Sequence, residues 1–304
     1  MACLYPRAAY WTRDKEGKRG VALRSNAPNV ISGVPFYIPC NQCVQCRLAY
    51  SRTWAVRCMH EYRYQYNAGH DASFVTLTYD EDNLKRIVRE HNCDTLVLRD
   101  LQLFMKRLRK KTGAGVRFYG CGEYGSRTNR PHYHVLLFNR DFSDKKLYKH
   151  SDAGDPLYRS RSLDDLWTHG NTIVGGVSFN SCAYVARYIV DKMTGDMADD
   201  WYMGRKPEFS VKSNRPGIGK PFFDQYRDQL YRDDSTVVDG RELPLPRYYD
   251  LEYAKLDEGF VERVKKERRR RAMLKREGKE DNSRRRAKET FELKKLAVYQ
   301  RKAV

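Results

Sequence analysis

Two alternating segments flanking a turn-forming loop constrain this chain more than any other feature. Val116–Glu123 and His132–Phe138 both read as strands. Between them Gly125-Ser126-Arg127-Thr128-Asn129-Arg130-Pro131 has the residues that hairpin loops favour. Two strands joined so closely must pair antiparallel. A further strand, β-branched and aromatic, is expected at Ser73–Tyr79 and a short one at Gly175–Phe179. Helical spacing of apolar residues predicts helices over Val44–Tyr66, Asp100–Lys111 and Ser181–Met193, the last with Asn180 or Ser181 as N-cap. Strands followed by packed helices around a central hairpin point to an α+β fold with an antiparallel sheet, not to a βαβ winding. Residues 1–40 read as irregular, residues 140–170 as an insertion and Ser213–Lys220 as a loop; from about Leu251 the chain is helix-prone but poor in apolar residues.

Fifty-eight Lys and Arg against 39 Asp and Glu give a net charge of +19. Such an excess points to a polyanionic partner, nucleic acid first and an acidic lipid surface second. Residues 261–304 hold 18 basic and 7 acidic side chains, so the tail is a separate basic appendage. No run approaches the roughly 18 apolar residues of a membrane span, and the N-terminus lacks the apolar block of a secretory signal. The expectation is a protein of the cytoplasm with no membrane partner. The boundaries fall at residues 1–70 for a Cys-rich segment and helix, 71–240 for the core, and 241–304 for the tail.

Eight cysteines are too few for a disulfide scaffold of this length. Cys40, Cys43 and Cys46 stand at two-residue intervals, and Cys3 could return as a fourth. Short turns of this kind let sulfurs face one tetrahedral ion, so a structural Zn²⁺ is the candidate; reduced thiols without metal are the alternative.

His132 and His134 are i and i+2 on a predicted strand, so both imidazoles face one side. Alone such a pair is weak evidence. Glu123, on the preceding strand of the same hairpin, adds a carboxylate. Two histidines and a carboxylate accommodate Mn²⁺ or Mg²⁺ and leave positions open for substrate oxygens. Tyr184, Tyr188 and Lys192 follow at i, i+4 and i+8 on a line apart from the aliphatic stripe of their helix. The two tyrosines either cap the core edge or serve as covalent nucleophiles, with Lys192 steadying a phenolate or a leaving oxygen.

In this order, Phe74–Tyr79, Pro131–Phe138 and Tyr184-x3-Tyr188-x3-Lys192 resemble the three motifs of the HUH endonucleases, most closely the gokushovirus-type replication initiators of single-stranded DNA microviruses. The cysteine cluster, Cys121–Gly125 and Arg215–Gly219 extend the resemblance over roughly residues 1–225. It implies a central antiparallel sheet with both histidines on a middle strand. It also implies His132, His134 and Glu123 as metal ligands and Tyr184 and Tyr188 as nucleophiles. Arg130 and Arg187 are expected to contact DNA. Related enzymes often carry Lys three residues after a catalytic tyrosine; Lys192 stands four after Tyr188. The implied reaction forms a 5′-phosphotyrosine on single-stranded or extruded origin DNA and frees a 3′-hydroxyl, with host helicase and polymerase as expected partners. The alternatives are a relaxase or transposase of the same superfamily, or a non-catalytic zinc-containing DNA-binding protein.

Overall fold

The computed structural model describes residues 3–125, 128–191, 198–274 and 282–302. Lys192 and the side chains of Arg187 and Tyr188 lie outside what is described. By internal packing the chain divides into two units, residues 1–50 with 278–301, and residues 51–277 with 302–304.

In the first unit β1 (Arg7–Arg13) pairs antiparallel with both β2 (Arg19–Ala22) and β3 (Phe36–Ile38). Residues 1–40 are therefore not irregular. These strands are short and largely exposed, so they carry little of the apolar alternation by which strands are recognised. Leu4, Cys43 and Val44 form a small core with the remaining clustered cysteines.

The second unit holds most of α1 (Val44–Asn67), then β4 (Ser73–Tyr79), α2 (Glu81–His91), α3 (Leu98–Thr112), β5 (Phe118–Tyr124) and β6 (Pro131–Leu137). After these come β7 (Lys146–His150), β8 (Pro156–Arg159), α4 (Arg161–Trp167), β9 (Gly170–Gly175), α5 (Phe179–Asp191) and α6 (Ala198–Tyr202). Next are β10 (Phe209–Lys212), α7 (Lys220–Asp233), β11 (Ser235–Val238), β12 (Arg241–Pro244), α8 (Arg247–Ala254) and α9 (Glu258–Leu274). The last helix, α10 (Asn282–Lys302), falls almost wholly in the first unit. The fold is α+β, built on a seven-stranded sheet in the order β10-β5-β6-β4-β9-β8-β7 whose described pairings are all antiparallel.

The sheet is buried on both faces because its central strands are apolar on alternate residues in both directions. On one face Val75, Leu77, Tyr133 and Val135 pack against Leu101, Phe104 and Leu108 of α3 and Trp167 of α4. On the other, Tyr119, Cys121 and Leu136 pack against Ala55 and Cys58 of α1 and Cys182, Val185 and Ala186 of α5. Phe104 and Trp167 are wholly buried, and truncating either to alanine should cost about 3–5 kcal/mol.

Several local expectations are corrected. The strand expected at Gly175–Phe179 is β9, which ends at Gly175. Alternation along Thr172–Val174 sets it against β4, and the glycine pair that follows ends it. Helix α5 accordingly starts at Phe179, and its cap is Ser178, not Asn180 or Ser181. The Ser178 hydroxyl accepts from the Ser181 N–H at 3.2 Å, while Ser181 Oγ accepts from the Ser178 N–H at 2.8 Å. Residues 140–170 are no mere insertion, since β7 and β8 extend the sheet and α4 contributes Trp167 to the core. Strand β7 is exposed along its whole length, which is why it has no apolar signature. The tail is also less detached than its composition suggests. Val261 is fully buried, and Arg268 pairs with Asp234 and Asp250. Among the described residues no helix is long and apolar enough to cross a membrane.

Candidate active site

The β5–β6 hairpin sets Glu123 directly opposite His132 and Cys121 opposite His134. Alternation sends Glu123, His132 and His134 to the face shared with α1 and α5, while Tyr133 enters the opposite core. Glu123 Oε1 lies 2.6 Å from His132 Nε2 and 2.8 Å from His134 Nε2. The sequence-predicted triad is therefore assembled, with its ligand atoms all within 4.8 Å of one another.

The outer nitrogens are held too. His132 Nδ1 donates to the Arg130 carbonyl at 3.0 Å, and His134 Nδ1 lies 2.9 Å from Thr76 Oγ1 on β4. A proton kept on each Nδ1 turns the Nε2 lone pair towards Glu123, the arrangement that metal-binding histidines use. Phe74, two residues before Thr76 on the same face, stacks on His134 with centroids 5.2 Å apart. Neither role is apparent from the sequence. The available signal was the i, i+2 alternation of Phe74, Thr76 and Thr78 opposite the histidine strand.

Burial would raise the Glu123 carboxyl, but the charge of His134 and the bonds from both imidazoles outweigh it, so its pKa is lowered. Burial favours neutral His132, yet the bond to Glu123 and its charge win and raise that pKa. At His134 burial wins and the pKa is lowered. The carboxylate thus faces one imidazole that favours a proton and one that does not. Glu123 Oε2 is buried with no hydrogen-bond partner among the described residues. A nearly dry carboxylate with an unused oxygen and two converging imidazoles fits a divalent cation, which would take the place of the proton between His132 and Glu123.

Tyr184 projects from α5 into this group. Its hydroxyl is 3.2 Å from Glu123 Oε1, and its ring meets His134 edge-on at 5.1 Å. Ser51 of α1 bonds the Ala183 carbonyl at 2.8 Å and so holds the tyrosine helix in place. Tyr188 lies on the same helix one turn further. The Arg130 guanidinium is ion-paired with Glu81 and partly exposed.

In the first unit the structure brings together Cys3, Cys40, Cys43 and Cys46, with all four sulfurs within 4.8 Å of one another and no disulfide. Cys3 and Cys43 sulfurs are 3.9 Å apart, and those of Cys40 and Cys46 are 4.0 Å apart. A tetrahedron with metal–sulfur bonds of about 2.3 Å has edges of about 3.8 Å. Asn41, at φ 59°, makes the tight turn that brings Cys40 and Cys43 to one side. Burial raises the Cys40 thiol, but the N–H groups of Cys43 and Gln42 aimed at its sulfur outweigh this and bring it down to about 7. Both clusters could hold a metal ion.

The comparisons with known proteins give this site its setting, the replication machinery of small phages. Residues 72–193, from β4 to just past α5, match the family model for the phage replication-associated protein ORF2. The chain is 36% identical over 231 residues to the replication-associated protein VP4 of Bdellovibrio phage phiMH2K, spanning 72% of this chain and 68% of that one. It is 30% identical over 242 residues to the replication-associated protein ORF2 of Spiroplasma virus 4, spanning 76% and 72%. With the replication-associated protein ORF4 of Chlamydia phage 1 it shares 28% over 223 residues, spanning 70% and 53%. No solved structure matches the chain. The chain belongs to this family of ORF2-type replication-associated proteins, as a replication initiator of the microvirus kind.

Proposed function

We propose that the protein is an HUH-type endonuclease that starts rolling-circle replication by cutting single-stranded or extruded origin DNA through Tyr184 and Tyr188. The observation that carries this reading is the Tyr184 hydroxyl, 3.2 Å from the same carboxylate oxygen that both histidines face. His132, His134 and Glu123 would hold Mg²⁺ or Mn²⁺. When bound, that ion neutralises charge on the scissile phosphate. The remaining steps fall to the chain itself. Tyr184 Oη bonds to phosphorus as the bond to the 3′-oxygen breaks, giving a 5′-phosphotyrosine and a free 3′-hydroxyl. The phenol donates towards Glu123 in the resting structure, and this is the path by which its proton leaves. Phe74 and His134 pack the phenol ring and restrict its approach. The ester conserves the energy of the broken bond, so attack by a later 3′-hydroxyl reseals the strand without a nucleotide cofactor. Tyr188 would cut the regenerated origin while Tyr184 keeps the old end.

The freed 3′-hydroxyl serves a host polymerase as primer, with a host helicase opening the duplex, all inside the infected bacterial cell. Arg130 and Arg187 would contact the strand near the site, and Lys192 would steady the leaving oxygen. The four clustered cysteines would hold a structural Zn²⁺.

Incubation of the full chain with single-stranded origin DNA and Mn²⁺ tests the reading through the covalent protein–DNA adduct. Tyr184→Phe and Tyr188→Phe should each leave an adduct on the remaining tyrosine, and the double substitution should leave none. His132→Ala should abolish cleavage while DNA binding largely survives. Full cleavage by His132→Ala, or an adduct in the double variant, would refute the proposal.

A further inference from the structure

The first unit has a surface that the cutting chemistry does not use. Alternation places Trp11 and Arg13 of β1 on one face, and register places Val21 opposite Trp11 and Arg19 opposite Arg13. Ile31 joins the Trp11 row on the other side of β1, its N–H bonded to the Trp11 carbonyl at 2.8 Å. The indole lies nearly flat on Phe36, with centroids 4.4 Å apart and planes 18° apart.

Two features of this face are unfavourable if it meets only water. Trp11, Val21 and Ile31 stand in one row at 45%, 49% and 52% exposure, where an isolated small sheet would place polar side chains. Arg13 and Arg19 occupy directly opposed positions, a like-charge pairing that destabilises a ladder. Among the described residues no carboxylate pairs with either of them. An anion between the two guanidiniums would remove the repulsion, and a flat apolar ring would cover the indole. Single-stranded nucleic acid presents both groups in alternation along one chain. An acidic protein segment would satisfy the arginines and leave the stacked aromatic pair uncovered.

We infer that this face is a platform for single-stranded DNA, with a base stacked on Trp11 and a phosphate bridging Arg13 and Arg19. It lies outside the residues that match the family model, 72–193. The inference rests on membership of a replication family and not on the proposed cleavage chemistry.

The test uses the full chain and a labelled oligothymidylate without added Mg²⁺ or Mn²⁺, so that binding is read apart from cutting. Trp11→Ala should weaken binding roughly tenfold, as loss of one stacking platform does, and Trp11→Tyr should restore most of it. Arg13→Gln with Arg19→Gln should lower the slope of log affinity against log salt by about 0.7, the share of one phosphate on a single strand. Lys146→Gln with Lys149→Gln removes the same charge from exposed β7 and should leave the slope nearly unchanged. Melting temperatures verify that the variants remain folded. Unchanged affinity in Trp11→Ala would overturn the inference, as would equal slope changes in the arginine pair and the β7 control. Unchanged DNA affinity with lost phage replication would also overturn it, assigning the face to a protein partner. If no variant of the chain forms an adduct while Trp11→Ala still weakens binding, the cleavage reading falls and the platform stands.

Discussion

Thr76→Val removes one oxygen from the candidate metal centre and almost nothing else. Thr76 lies directly opposite His134 across the β4–β6 ladder, with Oγ1 2.9 Å from His134 Nδ1. His134 is only 6% exposed, so water cannot easily replace the lost hydroxyl. Valine keeps the shape and the strand preference of threonine. What changes is the imidazole, whose Nδ1 proton loses its acceptor at a cost of about 1–3 kcal/mol. The neutral ring can avoid that cost by moving the proton to Nε2, which then has no lone pair to offer a metal. Either route penalises the metal-bound form, and loss of such an outer partner typically costs about 10–100-fold in metal affinity. The Kd for Mn²⁺, measured by electron paramagnetic resonance, should therefore rise by about that factor. Cleavage should return towards wild type at saturating Mn²⁺, because no group that contacts DNA has been removed. Thr76→Ser should behave nearly as wild type. An unchanged Kd in Thr76→Val would refute the argument, and so would a cleavage defect that Mn²⁺ does not rescue.

Elemental analysis of protein purified under reducing conditions should find one zinc per chain, and Cys43→Ser should lower both zinc content and melting temperature; absence of stoichiometric zinc would return the cluster to ordinary thiols. His60 predicts a pH dependence of stability. Burial first, then the charge of Arg63, lowers its pKa from 6.5 to about 3, and both ring nitrogens are bonded, to Tyr249 and Thr236. A His depressed on folding binds more protons when unfolded, so its contribution is complete above pH 6.5 and is lost as pH falls from there towards 3. The loss approaches about 1.4 kcal/mol per pH unit. Denaturant titrations at several pH values should show a shallower dependence in His60→Gln, and equal slopes in the two proteins would sink the assignment. Finally, α10 carries eight basic and two acidic side chains. Truncation after residue 277 should flatten the salt dependence of DNA binding with nicking specificity unchanged; unchanged salt dependence would mean that the helix does not touch DNA. A cut at residue 261 would be uninformative, because it removes buried Val261 and the Arg268 ion pairs.

What could be read from the amino acids and what could not divide along physical lines. The Ser73–Tyr79 strand and the β5–β6 hairpin were legible because each repeats a buried pattern over seven residues. Glu123 and the two histidines were legible for the same reason, since a hairpin of known loop length fixes which residues oppose one another. Thr76 was not, because its role depends on β4 lying beside β6 in the sheet, a pairing between segments far apart in sequence. Helix α2 was missed because it buries one residue fully, Ile87, and its clearest signal is the Asp80 cap. The first unit's strands were missed because most of their side chains face solvent. Cys3 could be offered as a fourth ligand only by composition; the turn at Asn41 and the bond from the Cys40 N–H to its sulfur at 3.2 Å are tertiary facts.

The choice of Tyr133 between the two histidines follows from the same geometry. A strand displaced by one residue exchanges its two faces, and here that exchange would put a phenol among the ligands and bury both imidazoles in an apolar core. A residue that merely fills space at position 133 would resist this only through its volume. Tyr133 resists it through direction as well. Its hydroxyl accepts from the Val97 N–H at 2.8 Å, donates to the Val97 carbonyl at 3.0 Å, and meets the Tyr79 hydroxyl at 2.7 Å. Tyr79 in turn donates to Asp100 at 2.8 Å, which Arg86 holds by an ion pair. These bonds can be satisfied in one register only, and all lie on the face away from the histidines. Buried and fully bonded, such a polar chain adds less to stability than to uniqueness. The strand that must present two imidazoles to one carboxylate is thus fixed from behind, by groups that never meet the substrate.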